Sequence, residues 1–133
     1  MRTPPEPARD RERGSAAVEF ALVLPLVLVV VLGLVQVGLI ARDRLLVEAA
    51  ARAGARAAAL ADDDAATRAA ALAAAPGIDG SRTTVHVTRS GSRGDPVEVT
   101  IEYAAALRVP YITWLVGAEV TMRSSAVARQ EFA

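Results

Sequence analysis

From Phe20 to Ala41 the chain reads FALVLPLVLVVVLGLVQVGLIA, with no charged residue and Gln36 as its one polar side chain. As an α-helix rising ~1.5 Å per residue it would extend about 33 Å, enough to cross the hydrocarbon core of a bilayer. This run explains a composition that is odd for a compact globule. The chain is 53% hydrophobic but only 4% aromatic, although large rings usually carry core burial. Pro25 lies inside the run, where it removes one helix hydrogen bond and should kink the first turns. Such kinks are tolerated in membrane helices.

The remaining sequence excludes several classes of function. At 133 residues the length fits one small domain with accessories. The charges balance at 15 basic and 15 acidic side chains, without the basic excess of a nucleic-acid binder. With no cysteine there is no disulfide scaffold, thiolate metal site or catalytic thiol. A single histidine, His86, excludes a His-cluster metal centre. No phosphate loop or nucleophile–base pair is present. No enzyme activity, cofactor or small-molecule substrate is therefore expected.

Around the apolar run the chain changes character several times. Met1 to Gly14, MRTPPEPARDRERG, is rich in proline and charge and reads as a disordered leader. The helical signal starts at about Ala16 and continues past Ala41 to Ala61. Ala49 to Ala75 is alanine-rich and reads as soluble helix, because alanine adds helix propensity more than burial. Glu48, Arg52 and Arg56 recur every fourth residue as a polar stripe. Ala50, Gly54 and Ala58 form a strip of small residues on another face, which lets a second surface approach closely. Asp64 is expected to cap a second helix, Ala65 to Ala75, with Asp62 and Asp63 also at its positive end. Pro76-Gly77 should end it.

The last third switches to period two. Val85 and Val87 alternate with Thr84, His86 and Thr88; Val97, Val99, Ile101 and Tyr103 alternate with Glu98, Thr100 and Glu102. The turn-rich SGSRGD between them predicts an antiparallel hairpin. Glu119 to Arg129 is a third strand, with Val120, Met122 and Ala126 on one face and Thr121, Arg123 and Arg129 on the other. Val109 to Gly117 should loop back, using Tyr111 and Trp114 to plug the sheet. The expected fold is α+β: a long N-terminal transmembrane helix, a short helix and an antiparallel sheet of three strands. His86, Glu98 and Glu102 read as solvated side chains, and the three aspartates lack the spacing of a calcium loop.

One charged residue stands just inside the membrane stretch. In RERGSAAVEFALVLPLVLVV, Glu19 follows four small or apolar residues after Gly14. An acidic group costs about 3 kcal/mol at the centre of a membrane helix, and less near the interface. An ionisable residue there is a functional hypothesis by default.

This arrangement resembles a class III (type IV) prepilin signal, cut directly after glycine, with glutamate as the fifth residue of the mature chain. The stretch GSAAVEFALVLPLVLVVVLGLVQVG, the Ala/Arg helix after it and the ending GAEVTMRSSAVARQE resemble the TadE-like proteins of tight-adherence (Flp-type) pilus systems. The resemblance implies cleavage between Gly14 and Ser15 by a membrane-embedded prepilin peptidase. It also implies that Glu19 of one copy pairs with the freed amine of a neighbouring pilin or pseudopilin, with Phe20 following it in the recognised motif. The parts would be a cytoplasmic leader (1–14), a long helix (15–61, transmembrane over about 20–41) and an exported domain (62–133). The segment after Ala41 makes the chain look like a minor pseudopilin rather than a bulk filament subunit. Its partners would be the peptidase, other pilins, the pilus secretion machinery and the lipid bilayer.

Two other readings stay open. The chain could be an ordinary bitopic anchor with an interfacial glutamate, displaying a small envelope-binding domain. A secretory signal peptide needs a shorter apolar core and a small-x-small site, and no such site follows before Arg42. Charge does not decide orientation. Arg2, Arg9, Arg11 and Arg13 precede the helix, and Arg42, Arg44, Arg52 and Arg56 follow it. Only the leader motif places the N-terminus in the cytoplasm.

Overall fold

The computed structural model describes residues 9–107 and 119–132, with side chains from Gly14 onward. Helix α1 (Arg9–Leu60) is followed by α2 (Asp64–Ala73), a 3-10 turn (Gly80–Arg82), and strands β1 (Thr83–Arg89), β2 (Pro96–Ala106) and β3 (Glu119–Arg129). The chain divides into two compact units, Met1–Val35 and Gln36–Ala133. The expected α+β class, with a long apolar helix, a short helix and three antiparallel strands, is what the structure has.

In the first unit, α1 begins at Arg9 instead of about Ala16. Beyond Pro7, RDRERG holds no proline and several good helix formers. The apolar helix downstream has already met the cost of nucleation, so each further residue adds a hydrogen bond. The helix continues through Pro25. Gly14–Leu60 holds a segment long and apolar enough to cross a membrane, none of it buried. Leu22, Leu26, Val30 and Leu34 are all more than half exposed.

In the second unit, α1 changes from all-round exposure to a one-sided buried stripe. Gln36, Asp43, Val47, Ala50, Ala51, Ala55, Ala58 and Ala59 are buried, at the three-and-four spacing of one helix face. The sheet is ordered β1-β2-β3 and wholly antiparallel. Val97, Val99, Ile101, Tyr103 and Ala105 of the central strand β2 join the alanines in one core, with Met122 from β3.

The alanines therefore supply burial as well as propensity, contrary to the sequence expectation. Each removes little surface, but their small size brings the helix backbone close to the valines of β2. Gly54 is the tightest point. A Cβ there would lie 3.0 Å from Val99 Cγ1 and 3.4 Å from Ala71 Cβ on α2. The strip Ala50–Gly54–Ala58 is thus occupied by the chain's own sheet and second helix.

The start of α2 also differs from expectation. Asp63, not Asp64, is the N-cap, and its Oδ1 accepts from Ala66 N at 3.0 Å. The cap needs extended backbone, which Asp63 has at φ −136° and ψ 102°. Asp64 is the first helical residue and bonds Arg89 Nη1 at 2.6 Å, while Asp62 lies 3.1 Å from Arg89 Nε. The acidic cluster therefore combines a cap with a clamp onto β1. The helix ends at Ala73, ahead of the expected Ala75, and Pro76-Gly77 follow, with Gly77 at φ 103°.

The hairpin and third strand follow the predicted periodicity. Glu102 pairs with Arg123 across β2 and β3 at 3.6 Å, and β2 is central, so its glutamates sit on the sheet's outer face and not along an edge. His86 is exposed. Tyr111 and Trp114, expected to plug the sheet, lie outside the described residues.

Candidate functional site

Ser15 and Glu19 lie four residues apart on α1, which places their side chains on one face, one turn apart. The Ser15 hydroxyl donates to Glu19 Oε1 at 3.4 Å, at the long limit of a hydrogen bond. Both residues are exposed. Phe20, beside the glutamate, is 66% exposed. The carboxylate is the only charge from Gly14 to Ala41, and it points at the residue whose backbone nitrogen a cut after Gly14 would release.

Gly14 is not demanded by the fold. Nothing lies within 4 Å of where its Cβ would stand, whereas Gly54 is enclosed by Val99 and Ala71. Gly33 and Gly38 are equally open, on helix surfaces that bear no contact. Gly14 lowers local helix propensity by roughly 1 kcal/mol relative to alanine. Pro25 lacks an N–H, so the Ala21 carbonyl has no ordinary helical donor.

The structure thus places Gly14, Ser15, Glu19 and Phe20 within about two turns of one helix. Pro25 lies further along the same helix. Every one of these residues is local in sequence, which is why the motif was legible there.

The buried polar residues are a different matter. Gln36 and Asp43 are only 6% and 4% exposed and sit seven apart on the buried face of α1. Arg42 Nη1 lies 3.5 Å from Asp43 Oδ1. Sequence reading singled out Gln36 only as the polar exception in the apolar run and passed over Asp43. Their shared heptad position was the available signal. Among the described residues no group of histidine or carboxylate side chains could hold a metal ion.

Residues 14–56 match the family model described as TadE-like protein. The matched segment starts at Gly14, includes Glu19 and the apolar run, and ends at the exposed Arg56, one residue past the buried Ala55. This part of the chain is similar to TadE-like proteins. No curated protein and no solved structure matches the chain.

Proposed function

We propose that this chain is a minor pseudopilin that acts in assembly of a tight-adherence pilus, after a prepilin peptidase cuts between Gly14 and Ser15. The observation that carries the reading is the TadE-like match beginning at Gly14, on a helix segment whose only charge from Gly14 to Ala41 is Glu19. The openness around Gly14 supports it, since the fold itself gives no reason for glycine there.

The mechanism is the packing chemistry of helices, with no catalytic step. Removal of the leader turns the Ser15 amide into a charged amine. A carboxylate and an amine in a low-dielectric setting offset each other's burial cost, and a wrong register leaves one of them unpaired. Glu19 already faces its own Ser15 hydroxyl, so that face of the helix presents a carboxylate one turn from the new terminus. Glu19 of one copy would engage the terminus of a neighbouring pilin. The exposed apolar surface from Ala16 to Val35 would contact lipid or other pilin helices. The N-terminus would be cytoplasmic and the C-terminal domain extracytoplasmic.

Mass spectrometry of the protein from cells with active prepilin peptidase tests the reading. Ser15 is the expected N-terminus, and Gly14→Leu should block its appearance. An intact Met1–Gly14 leader in those cells would overturn processing and favour a non-polymerising bitopic anchor.

A further inference from the structure

Among the described residues, the outer edge of β3 is open along a cationic cleft. β3 is the last strand in the order β1-β2-β3, and among the described residues no strand pairs with its far side. The backbone shows which groups face out. Gln130, directly after β3, exchanges both of its bonds with the β2 side: its N–H donates to Asp95 O and its carbonyl accepts from Gly94 N, each at 2.9 Å. Its neighbour Glu131 points the other way and donates to Ala59 O of α1 at 2.8 Å. Backbone direction alternates along a strand, so Ser125, Val127 and Arg129 turn their N–H and C=O groups to the open edge.

The opposite edge of the sheet is blunted. Arg68 donates to Thr83 O at 3.1 Å and to Gly80 O at 2.8 Å, which closes the start of β1. Arg89 at its end is held by Asp62 and Asp64.

Beside the open edge, a cleft of about 440 Å³ separates β3 from the last turns of α1. Arg52 and Arg56 line its helix side and Arg129 its strand side, over a floor that includes Ala55 and Ala59. Glu131 is the one acid in the lining. Glu48 reaches Arg52 only at 3.9 Å, with both side chains partly exposed, so the guanidinium groups retain donors for another acceptor.

Unpaired strand groups and a row of arginines together define a ligand. Main-chain bonds would hold an added strand, and alternate side chains of that strand would face the cleft. Carboxylates there would meet the planar donors of Arg52 and Arg56. We infer that the Ser125–Arg129 edge of β3 accepts, by strand addition, an extended acidic segment of a partner protein, with Arg52, Arg56 and Arg129 reading its carboxylates. A second copy of this chain fits less well. Its β3 would bring Arg123 and Arg129 onto an edge already rimmed by arginines. The inference does not depend on processing at Gly14.

The test uses the full chain in dodecylmaltoside micelles and a synthetic blocked peptide of alternating glutamate and valine. A twin peptide with lysine in place of glutamate is the control. The acidic peptide should bind, more weakly as salt is added, and the lysine twin should not. The Ser125, Val127 and Arg129 amides should gain protection from hydrogen exchange. Arg52→Glu with Arg56→Glu should weaken binding about tenfold or more. Val127→Pro removes an outward N–H but no bond to β2, and should abolish binding with the unfolding midpoint retained. If that variant fails to fold, amide protection and the arginine variants still decide. Equal binding of both peptides, no binding of the acidic one, or β3-dependent dimers that the peptide cannot displace would each overturn the proposal.

Discussion

Val99 of β2 stands so close to Gly54 of α1 that its Cγ1 lies 3.0 Å from the position a Cβ on the glycine would take. Ala71 of α2 closes the same point from 3.4 Å, so helix, helix and sheet meet over one missing side chain. Gly54→Leu should destabilise the Gln36–Ala133 unit by about 1–3 kcal/mol through overpacking. Gly54→Ala and Val99→Ala should be coupled, the pair costing less than the sum of the single changes. Denaturant unfolding of the full chain in micelles, followed by the sheet's circular dichroism, checks both. An unchanged midpoint for Gly54→Leu would mean that the helix stands further from β2.

The three aspartates ahead of α2 should separate by role. Asp63→Ala removes the N-cap and should cost about 1 kcal/mol. Asp64→Ala and Arg89→Ala break the same clamp and should each cost about 1 kcal/mol or less, because both aspartates are solvated. A double-mutant cycle should show Asp64 coupled to Arg89 and Asp63 independent of it. Coupling of Asp63 to Arg89 would contradict the observed geometry.

Asp79 carries a pH dependence of known sign. Its Oδ1 accepts from the Ser81 hydroxyl at 2.6 Å and from Ser81 N at 2.9 Å. These bonds, with Arg82 nearby, hold its carboxyl below the ordinary value of 3.8. A depressed folded-state value means that the stabilisation is fully present above pH 3.8 and is lost as pH falls through the shifted value. Carbon-detected NMR titration should find the Asp79 carboxyl below 3.8, moving back toward it in Ser81→Ala. An unshifted carboxyl in the unaltered chain would refute the bonding.

Glu19→Gln keeps the size of the side chain and removes its charge. If the carboxylate pairs with a neighbour's amine, Glu19→Gln and Glu19→Ala should both abolish pilus assembly and leave membrane insertion intact. Electron microscopy of surface pili together with membrane fractionation reads the two effects separately. Normal pili from Glu19→Gln would show that the charge is not needed.

Local order in the chain made much of this legible. The motif from Gly14 to Phe20 lies within a single stretch, and a run with no charge announces a helix in any context. Strands β1, β2 and β3 announce themselves by period two, since one face of each meets the core and the other meets solvent. The cap on α2 was displaced by one residue because adjacent aspartates are equally able to cap. Only the extended backbone of Asp63 and the reach of Arg89 decide between them.

Burial of the alanines was not legible in the same way. Ala50, Ala51, Ala55, Ala58 and Ala59 are as consistent with a solvated helix as with a buried one, since alanine favours helix in either setting. Whether they form a core depends on the valines of β2, 38 to 49 residues away in the chain, and on α2 as a third partner. The sequence by itself determined where a helix can meet lipid, where it carries its one charge, and where strands alternate. Only the tertiary structure decided that the small-residue strip belongs to the chain's own sheet, and that Arg52, Arg56 and Arg129 share one cleft beside an open strand. Periodicity is a property of neighbours along the chain, whereas close approach and charge clustering arise from residues that folding alone brings together.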